Sequence, residues 1–163
     1  MRKIVLVLGI LLVIAMVLPA AAAPAIAKTT GGGYWICWDD QKCGSSWTAQ
    51  ATLANYPYAA KGQAQAQHRS FAGTLHAQID QLGITEDNIA FVSGIVTNAP
   101  DAPLWLDKRI CFVAIDGGKG GDDYVTDWWV GDINKCYDDY SLDYLTFHLI
   151  EGGNGIINFN PPW

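Results

Sequence analysis

The feature that most restricts this chain is alternation. In "AKGQAQAQHRSF" (Ala60–Phe71), Gly62, Ala64, Ala66 and His68 fall on one side of an extended backbone. Lys61, Gln63, Gln65 and Gln67 fall on the other. Successive side chains of a strand point to opposite faces, so this period reads as a strand with one buried face. In "FAGTLHAQI" (Phe71–Ile79) the buried set is Phe71, Gly73, Leu75, Ala77 and Ile79. Small residues on an inner face point to tight curvature or a bulky partner opposite.

Two further runs, "IAFVSGIVT" (Ile89–Thr97) and "RICFVAID" (Arg109–Asp116), are apolar on both faces and read as central strands. Earlier strands are expected at Tyr34–Trp38 and Trp47–Ala54. "YLTFHLI" (Tyr144–Ile150) turns at "EGGNG" and returns as "IINFN", a hairpin whose glycines supply positive backbone angles. Leu142, Leu145 and Leu149 fit a helical spacing across Tyr140–His148. Tyr144, Thr146, Phe147 and the turn that follows favour a strand. The expected fold is all-β, an antiparallel sandwich or small barrel of about eight to ten strands, because a flat sheet would leave long edges exposed.

The N-terminus reads as an address. Arg2 and Lys3 precede Ile4–Leu18, apolar throughout apart from Gly9, and a small-residue stretch ends at Ala25-Ile26-Ala27. That order is a secretory signal, cut after Ala27 or, as the alternative, after Ala23. The apolar run is short of the ~20 residues a spanning helix needs. The expected organisation is a signal peptide at 1–27 and one all-β domain at 28–163, secreted or held at the cell surface.

Charge narrows the partners. The chain carries a net charge of −6, and loss of Arg2 and Lys3 makes it more acidic. Such a protein repels nucleic acid and anionic membranes. Of its sixteen acidic residues only Glu86 and Glu151 are not Asp, a bias that suits turns over helix interiors.

Four cysteines, Cys37, Cys43, Cys111 and Cys136, read as two disulfides in an exported chain. Three pairings exist, and locality favours Cys37–Cys43 with Cys111–Cys136. Zinc sites use close ligand pairs, commonly two to four residues apart, and these cysteines do not supply them.

The order of these segments resembles a group of short secreted bacterial all-β proteins usually labelled only as hypothetical. The resemblance rests on "GGG" (Gly31–Gly33), "KG" (Lys61-Gly62), "LHAQID" (Leu75–Asp80) and "AFVSGIVT" (Ala90–Thr97). "RICFVAIDGGKGGDD" (Arg109–Asp123) and "EGGNGIIN" (Glu151–Asn158) complete it. It implies secretion, an all-β domain and a Cys111–Cys136 pairing, and it implies no activity. The Cys37–Cys43 segment and one extra glycine in the last turn depart from the pattern.

Candidate sites are few. Asp116, Asp122, Asp123 and Asp127 surround the glycine-rich "DGGKGGDD" loop, and calcium takes six to eight oxygens of this kind. The spacing is not that of an EF-hand, and the competing reading is a hairpin turn with acids facing water. A phosphate cradle would need a Lys followed by Ser or Thr where this loop has aspartates. A metal trio would require His68, His76 and His148 to converge, and His76 is expected to face solvent. No "G-x-S-x-G" elbow is present and nothing singles out two carboxylates, so no catalysis and no cofactor beyond calcium are expected. Trp38, Trp128 and Trp129 are the candidate ligand contacts, for a carbohydrate or another small molecule. The remaining tryptophans are expected in the core. The leading expectation is a secreted, disulfide-stabilised, non-catalytic domain, with a binding module and a calcium-stabilised adhesion module as alternatives.

Overall fold

A computed structural model describes residues 25–37, 39–52, 59–68, 73–141 and 143–159. The strands are β1 (Ala25–Ile36), β2 (Lys42–Thr52), β3 (Ala60–His68), β4 (Gly73–Ile84) and β5 (Ile89–Asn98). After a short 3-10 turn (Pro103–Trp105) come β6 (Arg109–Ile115), β7 (Tyr124–Thr126) and β8 (Trp129–Val130). Helix α1 (Ile133–Ser141), β9 (Phe147–Leu149) and β10 (Asn154–Phe159) complete the chain. All ten strands belong to one antiparallel sheet, ordered β10-β1-β2-β3-β4-β5-β6-β7-β9, with β8 also on β6. The expected all-β fold is therefore present, as a curled sheet. Among the described residues no helix is long and apolar enough to cross a membrane.

The curl follows from the inner-face side chains. One wall is small, with Ala49, Ala51, Ala60 and Ala64 buried on β2 and β3. The facing wall is large, with Val92, Ile110 and Phe112 fully buried on β5 and β6. Gly31 lets Trp47 lie against β1, since a Cβ there would sit 2.5 Å from the indole Cζ2. The Trp47 Nε1–H donates to Thr29 Oγ1 at 3.0 Å, which satisfies both buried groups.

The two edges of the sheet are brought together by the glycine-rich loop. The Gly155 and Ile157 amides of β10 donate to Asp123 Oδ2 (2.7 Å) and Asp116 Oδ2 (2.9 Å). Their other oxygens accept from Gly117 N (Asp123 Oδ1, 3.1 Å) and Gly118 N (Asp116 Oδ1, 2.8 Å). Two carboxylates thus do for β10 what a neighbouring strand would do, covering donors that an edge leaves open. The connection ahead of β10 is tied on both sides, Ile150 N to Asp123 O and Glu151 N to Tyr34 O.

β5 and β6 are apolar on both faces because both faces are covered. Ala90, Val92, Ile110, Phe112 and Ala114 point into the curl. Ile89, Phe91, Cys111 and Val113 point outward, under Ile133 and Cys136 of α1. This helix is a correction to the period-two reading. Ile133, Cys136, Tyr137 and Tyr140 lie at helical spacing, and Asp132 Oδ1 caps the first turn by accepting from Asn134 N and Lys135 N, each at 3.1 Å. The strand expected over Tyr140–His148 contracts to its last part: Tyr140 and Ser141 finish α1, and β9 begins at Phe147.

One more difference has a local cause. The inner face of β4 runs Leu75, Ala77, Ile79 and then Leu82, Ile84. A bulge between Ile79 and Gln81 inserts Asp80 and flips the parity. The bulge aims Asp80 at Arg109, and the two form a paired bridge with both N···O distances 2.7 Å. That hydrogen bond raises the Arg109 pKa, against a smaller opposing effect of burial. At the N-terminus, β1 begins at Ala25, and Ile26 and Ala27 are buried. The position after Ala27 lies within this strand, and the position after Ala23 lies outside the described residues.

Candidate functional site

At one end of the curl the inner face opens into a cup of about 570 Å³. Sheet register builds its wall. Trp35 of β1 pairs with Cys43 of β2, Cys43 with His68 of β3, and His68 with Gly73 of β4. Cross-strand partners share a face, so these side chains form one row across four strands. Gly73 (φ +56°) permits this, because a Cβ there would lie 2.1 Å from Asp101 Oδ2. Leu75, Trp105, Trp128, Asp127 and His148 are among the other lining residues.

The aromatic rings form two stacks. Trp128 lies parallel to Phe112, with centroids 5.8 Å apart and planes 11° apart, and Phe112 meets Trp47 edge-on at 5.9 Å. On the other side Trp35 stacks on His148 at 5.0 Å and 14°. The Trp35 and Trp128 indole N–H groups are buried and have no acceptor among the described residues. His148 Nε2 lies 3.1 Å from Asp127 Oδ2. The pair makes no hydrogen bond in this geometry. Thr126 Oγ1 is occupied, accepting from Val113 N (2.9 Å) and donating to Asp127 O (3.0 Å).

Both expected disulfides are formed, Cys37–Cys43 and Cys111–Cys136. They sit in different surroundings: the first lines the cup, and the second lies beneath α1. Among the described residues the one set of three metal-ligand-type side chains with donor atoms within 4.8 Å of each other is Cys37, Cys43 and His68. The four aspartates are not gathered. Asp116 and Asp123 hold the β10 amides, Asp122 is exposed on the loop, and Asp127 is in the cup.

Of the candidate tryptophans, Trp128 turns into the cup. Trp129 pairs with Cys111 and packs on the outer cluster. Trp38 lies outside the described residues. His68 and His148 meet at the cup, while the half-buried His76 lines a polar groove on the outer face of β1–β5 with Gln63, Gln65 and Gln78. Sequence reasoning did not assign Trp35, Trp105, His68 or His148 to a ligand site. Trp35 and His68 carried a usable signal, since each ends an inner-face alternation where a barrel opens. Compared with family models, with curated proteins and with solved structures, the chain finds no match in any of the three.

Proposed function

We propose that this chain is an exported, non-catalytic binding domain that holds one small, mainly apolar ligand with a flat ring in the mouth of its curled sheet. The observation that carries this reading is the cup itself. Its volume is of ligand size, and its wall is aromatic with a few polar groups at one side. Of three buried indole donors without acceptors among the described residues, those of Trp35 and Trp128 lie at the cup and favour a ligand that brings an acceptor, because an unmade buried hydrogen bond costs about 1–3 kcal/mol. The occupied Thr126 hydroxyl supports binding over nucleophilic chemistry. A glycan is the second reading, since Trp128 shares the cup with the polar side chains of Asp127 and Gln67.

The test is a titration with single-ring aromatic amides, an anilinonaphthalene dye and neutral oligosaccharides, followed by tryptophan fluorescence and by indole N–H shifts in NMR. The expected result is a saturable, one-site response at Trp35, Trp105 and Trp128, with Trp129 unmoved. Trp128→Ala should weaken binding about tenfold or more, as for a central aromatic anchor. Absence of saturation across all three classes would refute the reading.

A further inference from the structure

The geometry points to a second site at the rim of the cup: a redox-gated metal site formed by Cys37, Cys43 and His68, for one soft or borderline cation. Cys43 and His68 are register partners on adjacent strands and face the same way. Cys37 is already bonded to Cys43, and donor atoms of all three residues lie within 4.8 Å of each other. While the disulfide stands, its sulfurs are weak ligands. Once reduced they are thiols, and as thiolates they join an imidazole in the donor set that Zn²⁺ prefers. Three ligands leave one tetrahedral position, and the cup is the open space beside them. Asp39 Oδ1, which accepts from Gln41 N at 3.2 Å, lies 3.8 Å from His68 Nε2, too far for a hydrogen bond but near enough to favour added positive charge on the ring.

The step balances with an external dithiol as reductant. Its thiolate attacks one sulfur of the pair and forms a mixed disulfide, and its second thiol releases the protein. Two electrons pass to Cys37 and Cys43, the reductant becomes a disulfide, and each protein thiol gives up its proton to solvent when the metal binds. The second disulfide is the internal control. Cys111 and Cys136 are at 0% exposure; Cys37 and Cys43, at 7% and 3%, are buried too but line the cup, so a reductant reaches them first. This site stands whatever occupies the cup.

The test uses the folded chain, reduced with a phosphine under native conditions and then freed of it without oxygen. Mass spectrometry should place the new thiols at Cys37 and Cys43, with Cys111–Cys136 intact. Competition with a chromophoric chelator should then give one Zn²⁺ per chain, at least a hundredfold tighter than in the oxidised protein. Co²⁺ in its place should show a thiolate charge-transfer band. His68→Ala should weaken Zn²⁺ about tenfold or more, and Asp39→Asn by less, since Asp39 acts through charge alone. Equal affinity in oxidised and reduced protein, or an unchanged His68→Ala variant, would overturn the assignment. So would a reduced chain that binds Zn²⁺ yet shows an unfolded spectrum.

Discussion

The two sides of β5 and β6 are built from similar residues and do opposite things. The inner side carries Val92, Ile110 and Phe112 and leads to an open cup. The outer side carries Phe91, Cys111 and Val113 and is closed by α1, with Phe91 ringed by Tyr137 and Tyr140 at 5.5 Å each. Each region has one disulfide. Cys37–Cys43 spans six positions across strands whose register already brings its ends together. Cys111–Cys136 spans twenty-five and ties a helix to the sheet. Apolar character alone therefore does not mark a site here; what differs is whether something covers it.

The largest effect should come from Phe112→Ala, which cuts the core and the support of Trp128 together. It should cost about 3–5 kcal/mol in urea unfolding and also weaken ligand binding. Phe91→Ala should cost a comparable amount, yet any chain that stays folded should bind as before. If both variants lose binding equally, the two sides are not independent.

Next come the disulfides. In the chain-entropy model the Cys111–Cys136 loop is worth about 3–4 kcal/mol and the Cys37–Cys43 loop about 2. Double Cys→Ala variants, compared by urea midpoint at constant m, should fall in that order. The reverse order would show the rim to be the main staple of the fold.

Asp123→Asn comes third. An amide has one acceptor oxygen where the carboxylate offers two, so it sets a donor against either the Gly117 or the Gly155 N–H. A loss of about 1–3 kcal/mol is expected, with faster hydrogen exchange at Gly155 or Gly117 than at the β5–β6 amides. The smallest effect is that of calcium. Both oxygens of Asp116 and of Asp123 hold backbone amides, so millimolar calcium or a chelator should leave the melting temperature where it is. A calcium-dependent rise would mean that the loop releases those amides to bind metal.

Several of these features were legible in the residues. Alternation at Ala64, Leu75, Ala77 and Ile79 gave the inner face, and the double-faced apolar runs at Ile89–Thr97 and Arg109–Asp116 gave the centre of the sheet. Locality gave both disulfide pairings. The parity flip at Asp80 was not legible, because a bulge is a property of two paired strands and only one was being read. Helix α1 was missed for a different reason. Its stripe of Ile133, Cys136, Tyr137 and Tyr140 was present, but a search at period two passes over period 3.6.

The amino-acid order by itself determined that most of the chain extends and, away from the bulge, which face of β3 and β4 is apolar, because both follow from local sterics and side-chain alternation. Only the tertiary structure decided that two loop aspartates clasp the last strand. Only it set Trp35, His68, Trp105, Trp128 and His148 around one cup, from β1, β3, β9 and two connections. Such a meeting depends on strand register and on how far the sheet curls, and these are fixed by packing between residues that lie far apart along the chain.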